Sequence, residues 1–387
     1  MIKYFLYFTA LAVSTMLIAS CHHSGNYASL TLQDSVILQV NKPIPHFCPA
    51  MFYYEKKGSN YLFVDDKQYR EIRLFDFSLR KEVESIPLRD TGQNAIPYHF
   101  GFAVKDPDSV YLPTADQCLY CLNRNGDIIK KIDFSALSQK YPLLTVAESI
   151  SRFTKGAVIL GNDIFFLQKD NRNFYFHHKP SDYHFLFKYN VKNDAFSLSP
   201  LSLPDDYWDK GKKEMSVFLT YNDVQKSFVF ATRFSDKIYV SNDGKNISKT
   251  FYSRSPAILE YYSFSPLDDL KSKDYFYSLC KYSYNVGLIW DPYNKIYYRF
   301  VWPGIKDLDK NQAELISRIY NNFPNFIIEI LDQEFNILGS YTLPDNKYNC
   351  NNYFLSKEGL FLAVNNPSDN KQNLSWTFHL YKVHLHL

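Results

Sequence analysis

The chain has 387 residues, 46% of them hydrophobic and 21% charged, which excludes a disordered chain and leaves ample material for a core. Its net charge is only +3, from 43 basic and 40 acidic residues, and no long basic run occurs, so nucleic acid is not an expected partner. Tyr and Phe stand at 32 each against 13 Gly; aromatic side chains favour strands, so the composition leans towards an all-β fold.

The amino terminus carries Lys3, an apolar run from Tyr4 to Ala19, and then Leu17-Ile18-Ala19-Ser20-Cys21. A positive start, a short apolar core and small residues before a cut site describe a secretory signal rather than a structural helix. The last five residues resemble a bacterial lipobox. On that resemblance residues 1–20 are a lipoprotein signal peptide, Cys21 becomes the first mature residue and carries lipid, residues 21–28 are a tether, and residues 29–387 form one domain. Several acyl chains, at ~0.8 kcal/mol per buried methylene, make a lasting membrane attachment. The expected location is therefore the bacterial cell envelope, as a membrane lipoprotein on the periplasmic or outer-membrane side.

After the tether, Ser29–Val40 reads as a strand without a neighbour of its own. Then one hairpin type recurs: Phe52–Asp66, Phe102–Asp116, Val158–Asp170, Phe218–Phe234, Leu288–Trp302 and Phe354–Asn366. In each, a polar turn separates two apolar runs. The clearest copy is Leu288–Trp302, where an Asp291-Pro-Tyr-Asn294 turn leads to Ile296–Trp302, apolar or aromatic on both faces. Such a strand is expected to be covered on both sides. A second hairpin follows each of the first five copies, at Ile72–Leu88, Cys118–Phe134, Phe185–Leu201, Lys237–Tyr252 and Phe326–Leu343. Only Trp376–Leu387, room for little more than one strand, follows the sixth.

The sixth unit therefore lacks a strand, and Ser29–Val40 is free to supply it. That arithmetic selects a six-bladed β-propeller closed by an N-terminal strand, because a closed ring buries both faces of each sheet and protects its edges. The long connections Ser135–Gly156, Asp170–His184, Pro204–Glu214, Arg254–Tyr284 and Pro303–Asn325 all fall on one face of such a ring, where long loops usually serve function. With its lipobox, six hairpin pairs and closing Gly359-Leu360-Phe361-Leu362, nearly the whole chain resembles a family of bacterial lipoproteins of unknown function with a six-bladed β-propeller domain. That resemblance implies fold and export, and brings no activity or catalytic residue with it. The Arg254–Tyr284 insertion departs from a regular blade and leaves seven blades as the alternative.

Chemistry-bearing residues are sparse. Removing Cys21 leaves Cys48, Cys118, Cys121, Cys280 and Cys350, an odd number, so at least one mature thiol has no partner within the chain. Cys118 and Cys121 spell CxxC, but residues three apart on a strand point to opposite faces and read as core thiols. Cys48 and Cys350 precede hairpins that ring closure makes neighbours, so either a disulfide or two free thiols fits. His384 and His386 share a strand face, and His177, His178 and His184 sit in a loop; no metal site is assigned to either group. No nucleophile elbow, phosphate loop, HExxH or EF-hand loop occurs. Asp65, Asp66 and Asp116 lie at strand ends, as turn and cap residues or as a carboxylate pair.

Candidate binding residues are Arg70, His99 and Arg233, near strand ends on the elaborated face, with Tyr207, Trp208, Trp302 and His177 in or beside its loops. The expected function is a lipid-anchored binding or scaffolding module for a protein or glycan partner, with no cofactor and no assigned catalytic residue. The alternative is a polysaccharide-active propeller enzyme, hydrolase or lyase.

Overall fold

The structure is a computed structural model and describes residues 27–45, 48, 50–56, 58–140, 147–148, 157–168, 179–208, 216–258, 261, 273–321, 323–365 and 374–386. Signal-peptide residues and Cys21, together with His177 and His178, lie outside the described residues.

The fold is all-β and propeller-like. Strand β1 (Tyr27–Gln39) comes first. The next four, β2 (Met51–Lys56), β3 (Ser59–Asp66), β4 (Glu71–Asp76) and β5 (Lys81–Pro87), pair antiparallel in sequence order. The same meander recurs in β6 (Ala103–Asp106), β7 (Ser109–Pro113), β8 (Cys118–Leu122) and β9 (Ile128–Asp133). The third sheet has five strands: β10 (Ala147–Glu148) and β11 (Val158–Leu160) both pair with β12 (Asp163–Gln168), followed by β13 (Leu186–Asn190) and β14 (Ala195–Leu198). Two more four-stranded meanders follow. They are β15 (Val217–Asn222), β16 (Ser227–Thr232), β17 (Lys237–Ser241), β18 (Lys249–Tyr252), then β19 (Tyr284–Asp291), β20 (Ile296–Trp302), β21 (Ile327–Leu331), β22 (Ile337–Thr342).

The last three strands, β23 (Tyr348–Ser356), β24 (Gly359–Val364) and β25 (Ser375–His386), are completed by β1, which runs antiparallel to β25 from Tyr27↔His386 to Gln39↔Ser375. At its far end β1 also touches β5 through one parallel bridge, Gln39↔Lys81. That bridge joins two groups of four strands into an eight-stranded sheet of order β2-β3-β4-β5-β1-β25-β24-β23. The observed arrangement is thus four smaller sheets and one large one, where the sequence suggested six equal units. The described part of the Arg254–Tyr284 insertion contributes a helix, α1 (Lys273–Lys281), and no strand. A second helix, α2 (Ala313–Asn321), comes from the Pro303–Asn325 insertion. Among the described residues no helix is long and apolar enough to cross a membrane.

The turns explain how so few glycines suffice. Asp66, Asp76, Asn190, Asn222 and Asp291 each end a strand and accept a backbone N–H from two or three residues on through Oδ1. Four residues after each, Arg70, Arg80, Asp194, Lys226 and Lys295 take positive φ of 51–56°. This is a type I turn closed by a left-handed residue, here without the usual glycine. Aspartate or asparagine holds the turn, and the chain accepts the left-handed cost at the next strand's entry.

Sheets pack face to face through aromatic and branched side chains. In β20, Tyr298 and Phe300 join a cluster with Leu360 and Leu362 of β24, while Tyr297 joins Val229, Val240 and Leu331 on the other side. Both faces of the strand are covered, as its sequence required. Cys118 faces the cluster with Phe63 and Leu74, and Cys121 the cluster with Phe166 and Tyr189. Burial pushes both thiols up to about 11, so they stay protonated and inert. Cys48 is also buried and free, so it forms no disulfide with Cys350.

The β1–β25 seam is anchored by Trp376 and Phe378, which pack on each other at 4.6 Å and with Phe75 and Phe361 in one cluster. Phe378→Ala is expected to cost ~3–5 kcal/mol in urea unfolding through the cavity it leaves. Ile37→Ala, on β1 but exposed, should change stability by less than ~0.5 kcal/mol.

Candidate functional site

Successive turns of a meander alternate between its ends. The β3–β4 turn, its counterparts in the other sheets and the sheet-to-sheet links therefore lie at one end, and the β2–β3 type of turn lies at the other. At the second end the short turns draw together: Tyr293 Oη lies 3.4 Å from Glu55 Oε2, and Lys357 Nζ 3.4 Å from Glu55 Oε1. The first end carries helices α1 and α2. There α1 and α2 pack through Phe276 and Tyr320, with ring centroids 4.8 Å apart, and Cys280 Sγ donates to the Ile316 carbonyl.

A dense group of charges at this elaborated end lies on both faces of the first sheet, with Asp65, Lys67 and His99 toward the second sheet and Asp66, Arg73 and Glu82 toward β1. Asp65 and Asp66 close β3 and are fully buried. Lys67 Nζ lies 2.7 Å from His99 Nε2, donates to the His99 carbonyl at 2.9 Å, and lies 3.3 Å from Asp65 Oδ2. His99 Nε2 also lies 3.1 Å from both Asp65 carboxylate oxygens, so the three side chains form one buried group. Burial pushes Lys67 below the usual lysine range, yet the Asp65 carboxylate favours its charged form. One residue on, Asp66 faces Arg73, whose guanidinium also holds Glu82 at 2.5 Å and donates to the carbonyls of Lys42 and Pro43. Burial pushes the Asp66 carboxyl above the ordinary range, against the pull of the Tyr69 backbone N–H and Arg73. Lys42 pairs with Glu71 at 2.6 Å.

Of the residues singled out in the sequence, Arg70 and His99 come together here. Arg70 Nη2 donates to the Ile96 carbonyl at 2.9 Å, and Nε lies 2.7 Å from Asp90 Oδ1. It therefore pins the β3–β4 turn against the segment leading to His99. Arg233 lies elsewhere, buried after β16 with its guanidinium 5.4 Å from the Tyr284 ring centroid. Trp302 is wholly enclosed, stacked on Phe323 at 4.6 Å and donating from Nε1 to the Cys280 carbonyl. Tyr207 is buried in a cluster with Leu201 and Leu203. Neither ring shows a face to solvent: Phe323 of the Pro303–Asn325 insertion lies flat on Trp302, and Tyr207 turns into the interior. Trp208 ends the same 3₁₀ turn as Tyr207, its side chain outside the described residues, as His177 is.

His384 bonds to Thr31 Oγ1 and His386 stacks on Tyr27, so both serve the β1–β25 seam. Among the described residues, no three His, Cys, Asp or Glu side chains group as metal ligands. Sequence reading missed Lys67, Tyr69, Arg73, Glu82 and Tyr98. The signal for Arg73 was available, since a charge inside the apolar run Ile72–Phe75 needs a buried partner.

Removing the Arg73 guanidinium strands two buried carboxylates. Arg73→Met is expected to cost ~3–5 kcal/mol at neutral pH. Asp66 already has a raised folded-state pKa, so its protonated form is favoured in the native state, and loss of Arg73 raises it further. The deficit should therefore shrink as pH falls towards the ordinary carboxylate range and grow as pH rises. Urea melts of both proteins across that range measure this; a pH-independent deficit contradicts it.

The family model for DUF4221, a domain of unknown function, matches residues 28–340. A crystal structure of a DUF4221 member from Bacteroides vulgatus ATCC 8482 superposes with a TM-score of 0.77 at 21% identity, covering 93% of this chain and 99% of that one. A Bacteroides fragilis NCTC 9343 protein described as exported gives 0.48 at 11% identity, covering 94% and 98%. A virginiamycin B lyase from Staphylococcus aureus gives 0.45 at 10%, covering 91% and 99%. No curated protein matches the chain. On the match over residues 28–340, the chain belongs to the DUF4221 family.

Proposed function

We propose that the protein is a six-bladed, lipid-anchored propeller of the cell envelope that works as a binding module for a protein or glycan, with its elaborated end as the recognition surface. The blade count treats β2–β5 and β23–β25 with β1 as separate units. In support, one bridge joins them edge to edge, whereas Phe75 and Phe77 of the first pack against Phe361 and Phe378 of the other as neighbouring blades do. Six clusters of this kind link each unit to the next and the last to the first.

The observation that carries the choice of surface is the asymmetry of the two ends. One is tied across by Glu55, Tyr293 and Lys357; the other holds the helices and the charged seam of Asp65, Lys67 and His99. Loops that carry function sit on a rigid scaffold in this way. A hydrolase has less support, since Asp65 and Asp66 are buried and engaged by Lys67 and Arg73.

The anchor is tested by fractionation. Cys21→Ser should move the protein from the membrane to the soluble fraction and abolish labelling by radioactive palmitate; unchanged membrane association excludes the lipid. The binding role is tested with a form lacking residues 1–21, by pull-down from envelope extract together with a glycan array. Retention of nothing by either removes the reading.

A further inference from the structure

Among the described residues, few large aromatic side chains are strongly exposed. The tyrosines with 40% or more of their surface exposed are Tyr27, Tyr69, Tyr98, Tyr252 and Tyr293. Tyr69 and Tyr98, 40% and 60% exposed, stand on two segments that touch: the β3–β4 turn and the link from the first sheet to the second. Arg70 and Lys67 of the turn bond to the Ile96 and His99 carbonyls of the link, so the spacing of the two segments is set by the fold.

Both rings are held. The Tyr69 N–H donates to Asp66 Oδ1 at 3.0 Å, and Lys42 Nζ lies 4.8 Å from the ring centroid. Tyr98 has Lys67 Nζ 5.0 Å from its centroid and meets Phe100 edge-on at 5.3 Å. Each ring thus has an ammonium over it and still presents much of its surface to water. A tyrosine fixed this way offers a broad amphipathic contact at little entropic cost.

The charges beside the rings choose between ligands. Lys42 is paired with Glu71, Lys67 with Asp65, Arg70 with Asp90, and Arg73 with Asp66 and Glu82. These cations are already committed to carboxylates, and a polyanion arriving here would meet at least as many negative charges as positive ones. An apolar protein hot spot is a poor fit as well, since charged groups lie beside both rings. Resting on the reading of the elaborated end as the recognition surface, we propose that the rim of the first sheet at that end, where the β3–β4 turn meets the link to the second sheet, is a subsite for a neutral, hydroxyl-rich glycan, with Tyr69 and Tyr98 as its stacking platform. The C–H faces of two sugar rings lie on the tyrosines, and their hydroxyls bond to phenol oxygens and turn backbone.

The test uses the full-length protein in detergent and affinity electrophoresis in gels containing laminarin, xylan, galactomannan or dextran, with heparin and polygalacturonate as anionic probes. At least one neutral polysaccharide should retard the protein, and Tyr69→Ala and Tyr98→Ala should each weaken retardation about tenfold. Both residues are exposed, so the variants should keep the wild-type melting temperature. Raising salt from about 0.05 M to about 0.5 M should change the affinity by less than about twofold, since no ion pair forms with the ligand. Three results overturn the subsite: no retardation by any neutral probe, retardation untouched in the double variant, or retardation by the anionic probes alone with loss in salt. If Tyr252→Ala, on the same end but another sheet, removes retardation that the double variant keeps, the subsite falls and the recognition surface stands.

Discussion

The architecture depends on the antiparallel pairing of the first described strand with the last. β1 and β25 are the two longest of the described strands, and they meet over their whole length, from Tyr27↔His386 to Gln39↔Ser375. Without β1, the edge of β25 would stand open and the cluster containing Val36, Leu38, Phe361 and Phe378 would lose one wall. An open edge is a template for aggregation, and here it is covered by a strand more than 300 residues away in sequence. Such pairing closes late, because a loop of nearly the whole domain must be ordered first.

Once that seam is made, the interior is a succession of two-sided sheets, which accounts for the composition. A strand buried on both faces has no polar face to spare, so its turns and termini must carry the charges. Buried ions at Arg73 with Glu82, and at Arg299 with Glu329 at 2.5 Å, are the exceptions. Each is enclosed with further acceptors, for the Arg299 guanidinium also donates to the Ser253 carbonyl. An arginine so paired fixes register between neighbouring strands and adds little net stability.

Much of this was legible in the amino-acid order, because hairpin turns and strand faces are local. The Asp291-Pro-Tyr-Asn294 turn is held by Asp291 Oδ1 accepting the Tyr293 and Asn294 amides, an interaction spanning three residues. CxxC parity likewise needed nothing beyond the strand period. Exposure was the part that could not be read. Trp302 looks like a surface residue beside a loop, and is buried because Phe323, 21 positions later, lies flat on it. His99 reads as an isolated histidine, and only the fold puts it against Asp65 and Lys67. Helical insertions were read as loops, although α2 is amphipathic and turns Ile316 and Ile319 into the core.

The same reasoning bears on where recognition can occur in a protein built this way. Rings that pack between sheets cannot be spared for a ligand, since removing one leaves a cavity costing several kcal/mol, on the order of half a small domain's stability. Aromatic content is therefore a poor guide to binding here, and exposure a better one. At Tyr69 and Tyr98 the rings are outside the core, while Asp66, Arg70 and Lys67 supply the rigidity that core rings obtain from packing. A turn held by buried charges can thus present an aromatic surface without weakening the sheets that carry it.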